Sequence, residues 1–173
     1  MKILQITTQL PYPADSGGKI DFLCFAKCLK DKNEITLVCF TENKPSKSVL
    51  DFLTRYYKNI YTVPVPHDPK LKIALIGLFH PTPYTMYKYK NRRMEKLLEK
   101  VIASNGPFDF IRIDQMHLAW YHTLFTSTPL ILRKHNVDSI IMERFYKKQG
   151  NCFIRTFAWF QWKKMLRFEA KTC

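Results

Sequence analysis

Five short runs rich in strand-forming residues punctuate the chain: residues 2–7 (KILQIT), 34–40 (EITLVCF), 59–65 (NIYTVPV), 108–114 (FDFIRID) and 129–134 (PLILRK). Stretches of helical spacing separate them. Strand runs that alternate with helical segments predict βαβ units, because parallel neighbours need a crossover long enough to hold a helix. The expected fold is therefore α/β and Rossmann-like, a mostly parallel sheet flanked by helices. With 173 residues, 46% of them hydrophobic, the chain is long enough to bury a core as one domain.

The first helix is expected after Gly17-Gly18. Ile20, Leu23, Cys24, Lys27 and Cys28 fall at i, i+3, i+4, i+7 and i+8, with Lys27 the one polar intruder, and Phe22, Phe25 and Leu29 broaden the apolar face. A second helix is predicted over 46–57, burying Val49, Phe52, Leu53 and Tyr56. The long crossover 66–107 holds an apolar segment (71–79), a proline break (HPTPY) and a helix with Met94, Leu97, Leu98, Val101 and Ile102 on one side, so two helical pieces fit there. Helices over 137–148 and 152–171 follow the fifth strand. There is no internal repeat, low-complexity tract or Gly/Ser linker.

The net charge of +14, from 28 Lys and Arg against 14 Asp and Glu, favours an anionic partner: a phosphorylated small molecule, a nucleic acid or an acidic lipid surface. No RNP-like, helix-turn-helix or zinc-finger pattern accompanies the charge, so nucleic acid is not expected. Five cysteines, an odd number without a C-x-x-C pair, suggest neither a disulfide framework nor a zinc site and fit a reducing cytoplasm. Cys24 and Cys28 share a helix side at i, i+4, and their apolar neighbours point to core packing rather than a metal. The opening residues carry one positive charge and no long apolar core, which reads as a strand rather than a signal peptide. The longest apolar run, 73–79, is far short of the roughly 18 residues of a membrane span.

Ligands of open parallel sheets bind beyond the carboxyl ends of the strands, which directs attention to three loops. The first contains LPYPADSGGKI. Gly17-Gly18 lets the backbone come close to a ligand, and the following helix start offers N–H groups and partial positive charge suited to phosphate. Its spacing is neither G-x-G-x-x-G nor G-x-x-x-x-G-K-[ST], and a plain strand-to-helix turn that needs glycine is the alternative. The second loop reads Gln115-Met116-His117 and the third His135-Asn136-Val137-Asp138. Two of the five histidines thus fall just past two strands. They are either surface or capping residues, or the wall of a site in which His135 and Asn136 hydrogen-bond a polyhydroxylated ligand. Asp138 or Ser139 is expected to cap the next helix.

Taken together, MKILQITTQLPYPADSGGKIDFLCFAKCL, EITLVCF, FDFIRIDQMHLAWY and PLILRKHNVDSIIMERF resemble the N-terminal half of a bacterial family 4 glycosyltransferase, a retaining enzyme of GT-B fold. The resemblance runs in order over nearly the whole chain. P-x-x-S-G-G after the first strand and H-N-V-[DE]-S after the fifth are its most specific parts. It implies that Gly17 and Gly18, with Lys19 beside them, lie against the donor diphosphate and the acceptor, that His135 faces the reacting sugar as the catalytic residue, and that Asn136 and His117 are secondary substrate-binding residues. It implies transfer from a nucleotide-sugar donor to a glycan or lipid-linked acceptor in cell-surface polysaccharide synthesis, with no metal and no cofactor. It also implies a second Rossmann-like domain carrying a paired-glutamate motif. No such region is among these residues, so the chain is expected to be a fragment that ends before the last strand of its own domain and is inactive alone.

Two basic regions remain. Lys88, Lys90, Arg92, Arg93, Lys96 and Lys100 crowd around the helix containing Met94, while Phe153, Phe157, Trp159, Phe160 and Trp162 sit among Arg155, Lys163, Lys164 and Arg167. They read either as a solvated face and ordinary core, or as a surface that docks on an anionic membrane, which would place the protein on the inner face of the plasma membrane. The last helix is apolar on more than one side and is expected to leave apolar surface exposed. A non-catalytic Rossmann-like module that binds an anionic membrane or a partner protein is the competing functional class.

Overall fold

The structure, a computed structural model, describes residues 1–67 and 69–172, the side chains at 70, 71, 73 and 74 excepted. The chain forms two compact units, one built of Met1–Val65 and Asn91–Arg133, the other of Pro66–Lys90 and Lys134–Cys173.

The first unit holds five strands, β1 (Lys2–Thr7), β2 (Glu34–Thr41), β3 (Asn59–Pro64), β4 (Phe110–Asp114) and β5 (Leu130–Arg133), in one sheet of order β3-β2-β1-β4-β5. Every pairing is parallel. The architecture is the expected Rossmann-like α/β sheet, and each strand lies within two residues of its predicted bounds. Ile3 stands beside Ile35 and Phe110, so side-chain alternation puts Ile3, Gln5, Ile35, Leu37, Cys39, Arg112 and Asp114 on one face. Helices α1 (Gly17–Leu29) and α2 (Lys47–Leu53) cover that face, where Leu23, Ala26, Leu53 and Tyr57 join the strand residues in one buried cluster. Tyr61 alternates to the other face, where its hydroxyl donates to Asn105 at 3.2 Å. Asn105 ends α5 (Arg92–Asn105), whose Met94, Leu98 and Val101 are buried.

Helix α1 corrects one expectation. Its buried residues are Phe22, Leu23 and Ala26, whereas Ile20 is 49% exposed and Cys24 and Cys28 are exposed free thiols rather than core. A face centred between Phe22 and Ala26, flanked by Phe25 and Leu29, buries the larger side chains, and Lys27 marks the competing stripe as the water side.

The second unit is helical: α3 (Lys70–Phe79), α4 (Tyr84–Tyr87), α6 (Asp138–Lys148) and α7 (Cys152–Thr172). The crossover therefore yields three helices where two were expected. Gly77 is where α3 meets α7, since a Cβ there would come within 2.5 Å of the Phe157 ring. The carbonyls that α3 leaves open at its C-terminus are taken up by α7: Lys164 Nζ donates to Gly77 O (2.7 Å) and Leu78 O (3.0 Å), and the Gln161 amide also donates to Gly77 O. Gln161 Oε1 in turn accepts from Tyr84 N at 3.1 Å, fixing the HPTP break onto the same helix. Helix α6 packs along α7, with Tyr146 and Trp162 stacked at 5.9 Å.

Candidate functional site

The loop between β1 and α1 is tied down along its length. Thr7 Oγ1 donates to Gln9 O (2.7 Å), Tyr12 stacks on Phe52 of α2 with centroids 3.9 Å apart, and Leu10, Tyr12 and Ala14 pack on the core cluster. The loop therefore presents the start of α1 in a fixed place at the carboxyl end of the central strand. Ser16 takes the extended N-cap conformation, but its hydroxyl makes no cap hydrogen bond, and the first turn holds no acid. By contrast α2, α5 and α7 are capped by Ser46, Asn91 and Asn151. The first amides of α1 are left with the positive end of the helix dipole and, among the described residues, no side-chain cap.

Neither glycine has a positive φ, so this turn does not demand glycine for its backbone angles. What they supply is room. A Cβ at Gly17 would meet nothing within 4 Å, and one at Gly18 would lie 3.4 Å from Gln115 Nε2 and 3.9 Å from Gln9 Nε2. Lys19 forms an ion pair with Asp15 at 2.8 Å, and this contact holds the Asp15 carboxyl below its usual range.

Gln115 is a residue that sequence reasoning missed. It has φ 78°, the left-handed region that few non-glycine residues occupy, and it accepts from Thr8 Oγ1 at 2.7 Å through its side-chain oxygen. That bond turns its amide nitrogen toward Gly18. Beyond it Met116–Leu124 form a 3-10 helix that carries His117 half-buried in its first turn. Gly17, Gly18, Lys19 and His117 thus all belong to the sheet unit.

Beneath this edge lies a buried polar network that the sequence does not announce. Asp114, fully buried at the end of β4, accepts from Arg112 Nε (2.7 Å) and Gln5 Nε2 (2.8 Å). The single Tyr57 hydroxyl proton is shared between Gln5 Oε1 at 3.0 Å and the Phe22 carbonyl of α1 at 3.3 Å, and Gln5 Nε2 donates to that same carbonyl at 3.3 Å. Arg112 also pairs with Asp21 on α1 and lies 4.2 Å over the Phe25 ring. These bonds hold the first turns of α1 onto β1 and β4. Burial raises the Asp114 carboxyl above its ordinary value against the opposing pull of Arg112 and Gln5, and burial likewise pushes up the Tyr57 and Cys39 hydroxyl and thiol. The only hint in the sequence is Arg-x-Asp inside an apolar strand, which alternation puts on one face.

His135 and Asn136 follow β5 and belong to the helical unit, His135 half-buried and Asn136 exposed. The cap expected from Asp138 or Ser139 is not there. Helix α6 starts at Asp138 after Val137, and its amides are met instead by Glu169 of α7, with Asp138 N at 2.9 Å and Ser139 N at 3.1 Å. Lys134 Nζ donates to the same carboxylate at 2.9 Å. Burial alone would raise the Glu169 carboxyl, but the bonds from Ser139 and Lys134 outweigh it and hold it below its usual value.

No protein-family model matches this chain. In sequence it is 22% identical to a Klebsiella pneumoniae protein described as an uncharacterized 44.6 kDa protein in cps region, over 97% of this chain and 41% of that one. Among solved structures it is similar to a UDP-glucosyltransferase from Polygonum tinctorium capable of glucosylating indoxyl, in complex with 3,4-dichloroaniline (14% identity, TM-score 0.46, 87% of this chain and 34% of that chain). It is also similar to Phytolacca americana UGT2 complexed with UDP-2-fluoro-glucose and pterostilbene (10% identity, TM-score 0.48, 87% and 36%). The chain spans about 41% of the length of the Klebsiella relative.

Proposed function

We propose that this chain supplies the acceptor-binding side of a retaining glycosyltransferase that moves a sugar from a nucleotide-sugar donor to a glycan or lipid-linked acceptor in cell-surface polysaccharide synthesis. The observation that carries the reading is the start of α1: amides without a side-chain cap, at the carboxyl end of the central strand, with Gly17 facing open space. Backbone donors and a helix dipole in that position suit a diphosphate, whose charge grows as the sugar leaves. The motifs around Gly17-Gly18 and His135-Asn136, and a relative from a cps region, support sugar transfer over other phosphate chemistry.

In this reading Gly17, Gly18 and Lys19 receive the phosphates or the acceptor, His135 hydrogen-bonds the reacting sugar, and His117 and Asn136 are secondary substrate-binding residues. The leaving-group charge is met by helix ends and cationic side chains rather than a metal. The protein works at the cytoplasmic face of the plasma membrane. No described helix is long and apolar enough to cross a membrane.

The test is a screen of nucleotide sugars against glycan and lipid-linked acceptors, with the protein that contains this chain. Transfer is expected from one of them, and His135→Ala should lower kcat about 100-fold, the scale of one lost transition-state hydrogen bond, with the circular dichroism spectrum unchanged. An unaltered kcat would make His135 a wall residue, and no transfer from any UDP- or GDP-sugar would refute the proposal.

A further inference from the structure

The sequence leaves two basic surfaces as candidates for membrane contact, and the structure separates them. On α5 the basic side chains ring an ordinary amphipathic helix whose apolar side is buried. In the helical unit, cations and exposed apolar groups lie together. Residues 66–90 and 134–173 carry 13 of the 28 Lys and Arg but 4 of the 14 Asp and Glu, a net charge of 13 − 4 = +9 out of +14. Two of those acids are engaged, Glu169 with Lys134 and the start of α6, and Glu143 with Lys147 at 2.7 Å.

Lys164, Arg167 and Lys171 follow one another at i, i+3 and i+7, which stacks them on one side of α7. With Phe168, and with Pro81 and Thr82 just beyond α3, they line a groove of about 350 Å³. Arg167 and Lys171 meet no carboxylate among the described residues. Phe79, two residues before Pro81, is 82% exposed at the end of α3, and Leu75 and Leu78 are about half exposed on the same helix. One turn earlier on the cationic side of α7 stands Phe160, also exposed. Water solvates Arg167 and Lys171 but not the aromatic tips beside them, whereas the headgroup region of a bilayer offers phosphates to the cations and acyl chains to the rings.

We propose that the α3 tip and the Lys164–Arg167–Lys171 side of α7 form a docking surface for an anionic phospholipid bilayer, with phosphates in the groove and Phe79 inserted beside it. The proposal extends the peripheral location given above and does not depend on the sugar chemistry, because it is read by vesicle binding rather than turnover.

The experiment is cosedimentation of the 173-residue chain with phosphatidylcholine vesicles, with and without phosphatidylglycerol, at low and high salt. Binding is expected only to the anionic vesicles and should fall as salt rises. Each cation near an anionic surface contributes about fivefold to partitioning, so Arg167→Ala with Lys171→Ala should weaken binding about 25-fold. Phe79→Ser should weaken it about tenfold, and Lys96→Ala with Lys100→Ala on α5 should change it less than about twofold. All five side chains are exposed, and thermal unfolding of each variant checks that the fold is kept. The proposal is overturned if neutral vesicles bind equally well, if anionic vesicles do not bind at low salt, or if the α5 pair matters as much as the α7 pair. A chain that self-associates in a Phe79-dependent way and ignores vesicles would assign the surface to a second copy instead.

Discussion

The two units solve opposite problems with the same kinds of residues. In the sheet unit one charged pair goes inward: Arg112 and Asp114 are buried and paired, and the outer surface keeps few large apolar side chains, Met1, Ile20 and Ile131 among them. In the helical unit the apolar groups go outward, with Phe79, Phe153, Phe160 and Ile141 exposed around basic neighbours. A sheet buried on both faces can close its core and still hold a few polar groups, provided every one is bonded. Helices that pack mainly on one another leave apolar surface that something else must meet.

That contrast can be broken at its strongest point first. Asp114→Ala removes the carboxylate that Arg112 and Gln5 share inside the sheet unit, leaving Arg112 with Asp21, and should cost about 3 kcal/mol in urea unfolding, the upper end for hydrogen bonds to a charged group. A loss below about 1 kcal/mol would mean that the network is incidental to stability. In the helical unit the tightest place is apolar. Gly77→Ala drives a methyl group into Phe157 and should cost about 1–3 kcal/mol, recovered in part by adding Phe157→Leu. Failure of that rescue would mean that the crowding lies elsewhere.

Acid sharpens the comparison, because the two units respond with opposite signs. The folded-state value of Glu169 is depressed, so its contribution is fully present above the ordinary carboxylate range and is lost as pH falls through the lower folded value. Asp114 is raised, so the native protein takes up its proton at a higher pH than the unfolded chain, and stability from this group increases as pH falls through the window just above the ordinary value. Glu169→Gln should cost about 1.5–3 kcal/mol at neutral pH, where charge-assisted hydrogen bonds are removed, and should flatten the acid limb of the stability profile. An unchanged acid limb would exclude Glu169 as its source. The smallest effect is expected on the water side of α1. Cys24→Ser and Cys28→Ser should stay within about 0.5 kcal/mol of the parent, and both thiols should react with a disulfide reagent in the native protein while the buried Cys39 waits for unfolding.

The sheet was legible because its strands are short apolar runs between turn residues, a pattern that survives whatever surrounds it. The face of α1 was not, since Ile20-Leu23-Cys24 and Phe22-Phe25-Ala26 both satisfy helical spacing and only packing against Leu53 and Tyr57 decides between them. Of the candidate site, Gly17 and Gly18 could be read from type and position. Gln115 could not, because a left-handed backbone at a non-glycine residue leaves no mark in composition. Nor could the network, whose Gln5–Asp114 bond joins residues 109 apart in the chain. The caps show the same boundary: Asn91 and Asn151 serve helices that begin beside them, whereas α6 takes its cap from Glu169, which no local pattern reveals.

The cap on α6 also has a history in time. A ribosome adding about 5–20 residues per second makes Glu169 roughly two to six seconds after Asp138, and until then the first turn of α6 has neither its carboxylate nor the helix that carries it. The segment that contains His135 and Asn136 is followed by a helix whose start is completed only once residue 169 has been made, while α5 and α2 carry their caps from the moment they emerge. The five described strands are all made by residue 133, so the growing chain passes through a stage in which they exist before α6 and α7 do. Limited proteolysis of nascent chains stalled before and after residue 169 would register that stage as cleavage within α6 that disappears once Glu169 is present.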